Sequence, residues 1–235
     1  MSPVLHTRIR WGYDMTIVGK DGIFPQSINR RITEILAMRS AFGFTTFGDT
    51  SSIVANTITN VTDSNGIYNR LQTGAVTNEY AGVYGGLLYN RQKEPSYYCR
   101  FKLGSSSNTR MFIGLTDQTI DVPVFTSVSN GHYAGLYVNP SVSSTFRSGR
   151  AGGSTFTTAS LGTSVDTNYH DLYIWLKKSG GANSMILQLD GGTRVEYTTS
   201  IPSTSAVLRS VAAIGNVTNT SKNIEIAKIS INSEV

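Results

Sequence analysis

The most regular alternation of apolar and polar positions in the chain runs through residues 165–202 and predicts three consecutive antiparallel strands. In residues 169–177, Leu172, Ile174 and Leu176 fall on one face and Tyr173, Trp175 and Lys177 on the other, the period of two that a strand imposes. Residues 185–190 place Met185, Leu187 and Leu189 together, and residues 193–199 carry Val195 and Tyr197 among polar neighbours. Asp190-Gly191-Gly192 separates the last two strands, and Asp-Gly favours the tight hairpin turn whose central residues take positive φ. Ser179-Gly180-Gly181-Ala182-Asn183 makes a looser first turn, and Pro202, with no amide hydrogen to give a ladder, closes this meander.

The same pattern recurs in shorter form elsewhere. It predicts strands at 7–18, with Gly12 as a possible bulge, and at 67–72, 79–89, 97–103, 110–116, 133–138, 155–161, 206–216 and 223–231. Asn65-Gly66 marks a further hairpin. Residues 117–132 and 139–154 read as long loops, the second rich in Gly and Ser and carrying Arg147 and Arg150. One segment has helical spacing: in residues 27–39, Ile28, Ile32, Ile35 and Leu36 form an apolar stripe, with Ser27 as N-cap and Pro25 just outside. Such a helix would either cap an open end of the protein or dock onto a partner. Short strands joined by Gly, Ser and Asn turns, with no helices between them, make an all-β sandwich the expected fold. The expected division is an N-terminal extension over residues 1–45 and a sandwich over 46–235, the alternative being that the extension supplies a strand to the sandwich itself.

Several residues of this framework also carry a family resemblance. They are Gly162, Val165, Asp166, Thr167, His170, Leu172, Ile174, Trp175, Asp190, Gly191, Ile201 and Pro202 in the meander. Upstream are the Arg110-Met111-Phe112-Ile113-Gly114-Leu115-Thr116 strand and the Leu71-Gln72-Thr73-Gly74-Ala75 and Tyr80-Ala81-Gly82 hairpin. Last comes the closing strand over 224–231. Together they resemble the concanavalin A-like (laminin G-like) jelly-roll domains found in structural proteins of tailed phages and other viruses. The resemblance spans roughly residues 66–232. It implies a non-enzymatic virion structural protein, such as a decoration, spike or tail-associated subunit, made in a host cytoplasm and assembled with other virion subunits. A carbohydrate-binding module for host attachment, recognising a host-surface glycan, is the alternative, since this sandwich hosts lectins, hydrolases and spacers alike.

Charge refines the picture. The chain has a net charge of +5, and residues 1–45 hold six basic and three acidic side chains, so a net +3 sits in the extension. A basic segment with an apolar stripe suits docking against an acidic protein surface. The remainder is nearly neutral, with no concentrated basic stripe to suggest nucleic acid. Cys99 is alone, which excludes an intrachain disulfide, and its aromatic neighbours predict a buried inert thiol. No apolar run suits a signal peptide or reaches the ~20 residues of a membrane span.

Catalytic chemistry is hard to find along the chain. The acidic residues are scattered, without the paired spacing along one strand that puts a nucleophile and an acid on the same face of a glycoside hydrolase. His6, His132 and His170 lie far apart with no Cys partners, so no zinc site is expected, and His170 reads as a packed, hydrogen-bonded imidazole. No Gly-x-Ser-x-Gly or phosphate-binding loop occurs. No cofactor is expected; a single calcium at a sandwich edge, through Asp117 or Asp121, is the one option left open. The candidate binding residues are therefore aromatic and cationic: Tyr173, Trp175 and Tyr197 on the outer side of the meander, with Arg147 and Arg150 on the 139–154 loop. A second apolar face at Tyr173 and Trp175 calls for a cover, either a subunit or domain contact, as in a homo-oligomer, or a glycan, the remaining alternative being that the strand faces the other way round.

Overall fold

The computed structural model describes residues 30–36, 44–48, 59–63, 66–85, 89–118, 131–179 and 182–234. The strands among them are β1 (Arg30–Leu36), β2 (Phe44–Gly48), β3 (Thr59–Asp63), β4 (Gly66–Gln72), β5 (Tyr80–Gly85), β6 (Tyr89–Asn90), β7 (Ser96–Leu103) and β8 (Thr109–Thr116). They continue as β9 (His132–Val138), β10 (Thr145–Gly152), β11 (Thr157–Ser164), β12 (Tyr169–Ser179), β13 (Ala182–Leu189), β14 (Val195–Tyr197), β15 (Val207–Asn216) and β16 (Asn223–Glu234). They build two antiparallel sheets. The first runs β14-β13-β12-β7-β16-β4-β3, with β1 also on β16; the second runs β11-β10-β9-β8-β15-β5-β2, with β6 also on β15.

The inner faces of the two sheets form one core. Leu172, Ile174 and Leu176 from β12 point inward with Met185, Leu187 and Leu189 from β13, and they meet Met111, Ile113, Leu115, Leu136 and Ile214 from the opposite sheet. Each of these side chains is essentially removed from water, and burial of a Leu or Ile contributes roughly 1.5–3 kcal/mol. The meander stands as its pattern predicts: β12 pairs with β13 from Leu172↔Leu189 to Ser179↔Ala182, and β13 with β14 at Met185↔Tyr197. Its tight turn has Asp190 and Gly191 both at positive φ, 54° and 67°. Cys99 lies fully buried in the core, and burial drives its thiol pKa far up, so the thiol is inert.

Two expected elements are corrected. The helix over residues 27–39 is a strand over Arg30–Leu36, hydrogen-bonded to β16 from Arg30↔Glu234 to Leu36↔Ile229. The expected docking stripe therefore does not exist as a helical face: Ile32, Ile35 and Leu36 sit in strand register opposite Asn232, Ser230 and Ile229, and Ile28 lies outside the described residues. The reason is tertiary. β4 covers one edge of β16 only over Asn223–Ile226, which leaves the rest of that edge with unpaired backbone groups. A segment rich in Ile and Thr meets that demand readily, and the sheet overrides a helical spacing with no packing partner. The strand expected at 7–18 also lies outside the described residues.

The second correction concerns residues 145–152, expected as loop and found as β10, paired on both sides with β9 and β11. Its Gly/Ser composition serves packing rather than turning. A Cβ on Gly149 would stand 2.7 Å from the Phe156 ring and 3.1 Å from Tyr137 Cβ, so any larger residue there would have to displace the Phe156 ring.

At one end of the sandwich His170 points inward from β12, its ring 4.7 Å from that of Phe146 and 5.4 Å from that of Phe101. Its Nδ1 is 2.7 Å from Asp190 Oδ2 and its Nε2 3.0 Å from Asp166 Oδ1. Burial pulls the imidazole pKa down, but the two carboxylates outweigh it and hold the value above the ordinary one. A histidine raised in the folded state contributes stability that is fully present below its unfolded pKa, ~6.5, and is lost as pH rises through the folded value. The melting temperature is therefore expected to fall as pH is raised upward from about 6.5. His170→Gln should flatten that slope in thermal melts across this window, and a wild-type curve that is level or rising there would contradict a stabilising role for the two His170–aspartate contacts.

Candidate functional site

The structure separates the predicted site residues into three places. Tyr173 and Trp175 lie on the outer face of the first sheet, as the alternation requires, but Tyr173 is only 4% exposed. It is covered by Tyr98, whose ring centroid is 5.0 Å away, and by Ile186, with Trp175 packed alongside. The Tyr98 hydroxyl donates to Asp171 Oδ1 at 2.8 Å, and Lys177 Nζ lies 5.6 Å from the Trp175 ring. This face covers itself to a degree the sequence does not reveal, so an exposed Tyr173 is no motive for self-association. Tyr197 is on the other side of its strand from the one expected: it stands opposite the core residue Met185 and faces inward, under Arg150, whose guanidinium carbon is 4.0 Å from the Tyr197 ring centre. Arg150 is likewise turned inward, with Nη1 donating to Ser148 Oγ. Of these five residues only Arg147 reaches the outer face of the second sheet, where its Nε donates to Thr158 Oγ1 at 3.0 Å.

Among the described residues that outer face is the most distinctive surface. Cross-strand register aligns its outward positions into rows. One row is Arg147, Tyr137, Phe112, Ala213 and Gly82; the next is Gly149, Gly135, Gly114, Val211 and Tyr84; a third is Ala151, Tyr133, Thr116 and Arg209. The glycines make a trough and aromatic rings fill it. A Cβ on Gly135 would lie 2.5 Å from Phe112 Cζ, so the Phe112 ring rests directly on the backbone there. Phe156 crosses the trough edge-on, 5.5 Å from Tyr133 and 5.2 Å from Tyr137, and Tyr133 is itself 5.8 Å from Phe112. These T-shaped contacts suit the ring quadrupoles. The result is a floor of buried Phe112, Tyr133 and Tyr137 beneath partly exposed Phe156, Tyr80 and Tyr84.

Cations frame this floor. Arg209 stacks over Tyr84 at 5.3 Å, and Arg110 Nη1 donates to Asn78 Oδ1 at 3.1 Å. Arg110, Arg147 and Arg209 all occupy outward register positions on β8, β10 and β15, and no carboxylate does so on β5, β8, β9, β10 or β15. A rigid aromatic floor gives sugar C–H faces a surface to stack on, and guanidinium forks recognise hydroxyl, carboxylate or sulfate oxygens. The sequence holds a signal for this floor: aromatic-x-Gly-x-aromatic occurs as Tyr80-x-Gly82-x-Tyr84 and as Tyr133-x-Gly135-x-Tyr137.

The calcium option fits poorly at Asp117. Asp117 Oδ1 accepts from the His132 amide at 2.8 Å and from Gln118 Nε2 at 2.9 Å, while Oδ2 is 2.7 Å from His132 Nδ1. Burial pushes this carboxyl up, but the bonds from His132 and Gln118 hold it below the ordinary aspartate value. A carboxylate so occupied with N–H donors has little left for a cation. Among the described residues no group of His, Cys, Asp and Glu is arranged to hold a metal ion, and Asp121 lies outside them.

No protein-family model matches the chain, and no curated protein matches it in sequence. Solved structures do match it in shape. Peanut lectin aligns with a TM-score of 0.59 at 14% identity, over 87% of this chain and 97% of the lectin. The exoplasmic/lumenal domain of VIP36, bound to Ca2+ and Man3GlcNAc, aligns with a TM-score of 0.56 at 13% identity, over 86% of this chain and 89% of that one. A carbohydrate esterase from the Shiga toxin-encoding bacteriophage phi24B aligns with a TM-score of 0.52 at 12% identity, over 85% and 93%. At such identities the likeness concerns the fold alone, and together with the two antiparallel sheets it shows that this chain has the concanavalin A-like β-sandwich fold.

Proposed function

We propose that this domain binds carbohydrate on the outer face of its second sheet, and that it favours glycans carrying acidic groups. The observation that carries the reading is the aromatic floor framed by Arg110, Arg147 and Arg209 with no carboxylate at the outward strand positions between them. Partly exposed Tyr80, Tyr84 and Phe156 supply stacking area, and the guanidinium groups supply charge-assisted hydrogen bonds to carboxylate or sulfate. Lectin neighbours of the same fold, one of them holding a mannose-containing glycan, support the class of ligand. Binding without cleavage of glycosidic bonds is expected, since the sequence spaces no two acidic residues along one strand as that chemistry requires. A glycan array tests the reading: uronic-acid, sialylated or sulfated glycans should dominate the bound set, and an array with no signal would sink it.

A second reading concerns the setting. The phage origin of one structural neighbour favours display of this domain on a virus particle, where glycan recognition would serve attachment to a host. Co-purification of the chain with particles from its source would support that; its absence from washed particles would refute it.

A further inference from the structure

Among the described residues two histidines pair with aspartates, and the two pairs differ in one chemical respect. His170 has a carboxylate on each ring nitrogen and is buried. His132 has a carboxylate on only one. Its Nδ1 faces Asp117 Oδ2 at 2.7 Å, and its Nε2 faces the hydroxyl of Ser203 at 3.0 Å. Three separate parts of the chain supply these groups: the residue after β8, the first residue of β9, and the turn before β15 in which Ala206 N donates to Ser203 O. The side chains of His132 and Asp117 are 19% and 28% exposed, and Ser203 is also partly open to solvent.

The hydrogen bonds fix the direction of the chain. An ionised Asp117, held so by the donors from His132 and Gln118, takes the Nδ1 hydrogen. The neutral tautomer then leaves a lone pair on Nε2, and the Ser203 hydroxyl donates into it. A hydroxyl placed on the free nitrogen of a carboxylate-oriented imidazole is the arrangement that makes a serine nucleophilic. Turn geometry alone does not require it, because a serine opening a turn needs only the turn's own amides, and here its hydroxyl reaches a histidine on another strand.

We infer that Ser203, His132 and Asp117 form an acyl-transfer site that hydrolyses carboxylic esters. Ser203 Oγ bonds to the acyl carbon as its proton passes to His132 Nε2. The tetrahedral adduct collapses, the bond to the alcohol oxygen breaks, and the alcohol leaves with the Nε2 proton. Water then attacks the acyl-serine, gives a proton to Nε2, and releases the carboxylic acid as Ser203 recovers its hydrogen. The sum is ester plus water giving alcohol plus acid, with no other reactant. Asp117 acts through His132 by holding its tautomer and orientation.

The test uses the whole chain and a sugar-free ester, so its outcome is independent of glycan binding. Purified protein is incubated with p-nitrophenyl acetate and, separately, with a fluorophosphonate probe whose attachment point is read by peptide mass spectrometry. Expected are turnover above the buffer rate and labelling at Ser203, with both lost in Ser203→Ala and turnover down roughly 10²–10⁴-fold in Asp117→Asn, the range that acid–base assistance supplies. The labelling site in the wild-type protein needs no variant, so a failure of Ser203→Ala to fold leaves the test intact. No turnover, a label on another residue, or equal turnover in Ser203→Ala would overturn the inference.

Discussion

Ile174→Asp should leave no cooperatively folded protein. Ile174 sits at 0% exposure on the central run of β12, between Tyr97 of β7 and Leu187 of β13, and its side chain enters the space between the sheets. An ionised carboxylate there would have no partner, and burying it costs several kcal/mol, while protonating it to avoid the charge costs free energy too. Loss of the isoleucine contacts adds a cavity penalty of the same order. Against a total stability of about 5–15 kcal/mol, the variant is expected in the insoluble fraction or without a thermal transition. A soluble variant with a sharp melt would mean the inward face of the meander has been assigned the wrong way round.

The second large effect is expected at Arg91, a residue whose importance no sequence pattern announces. It lies in the short 3-10 turn Arg91–Lys93 after β6 and is fully buried. Its Nη1 donates to Leu176 O at 3.0 Å, and its Nη2 to Lys177 O at 2.8 Å and Ser184 O at 3.2 Å, while its own amide donates to Ala206 O. One guanidinium thus fastens the end of the β12–β13 hairpin, and its backbone ties the chain entering β15. Arg91→Ala strips three carbonyls of a charged donor and leaves a void. Hydrogen bonds from a charged group contribute about 1.5–3 kcal/mol, so a loss of about 3 kcal/mol or more is expected. For a domain of this size that lowers Tm by roughly 6–12 °C. Calorimetry showing a change under about 2 °C would mean the clamp contributes little.

Local chemistry explains what could be seen in advance. The meander was legible because a period of two, an Asp-Gly turn and a closing proline agree over one continuous stretch. The strand Arg30–Leu36 was not, because Ile28, Ile32, Ile35 and Leu36 satisfy a helical stripe equally well, and the unpaired edge of β16 that decides the matter lies at the far end of the chain. β10 was hidden by a composition that ordinarily marks loops; only the rings above Gly149 show why small residues are needed. Among the site residues, alternation puts Tyr173 and Trp175 on the outer face, but their cover, Tyr98 and Ile186, comes from neighbouring strands. Tyr197 was misplaced because a strand as short as Val195–Tyr197 offers too little alternation to fix its register. The Asp117–His132–Ser203 cluster joins positions 15 and 71 residues apart, a proximity that only the fold creates.

Paired alanine variants measured against the tightest array ligand test most directly the proposed binding of glycan on the outer face of the second sheet. Loss of a partly exposed aromatic at the heart of a binding surface costs about 2 kcal/mol, close to a 30-fold rise in Kd. Tyr84→Ala and Phe156→Ala are each expected to weaken binding by roughly 10- to 30-fold in titration calorimetry, while Trp175→Ala, on the outer face of the first sheet, leaves Kd unchanged. Retained affinity in Tyr84→Ala and Phe156→Ala, or its loss in Trp175→Ala, would place the ligand elsewhere and contradict the account.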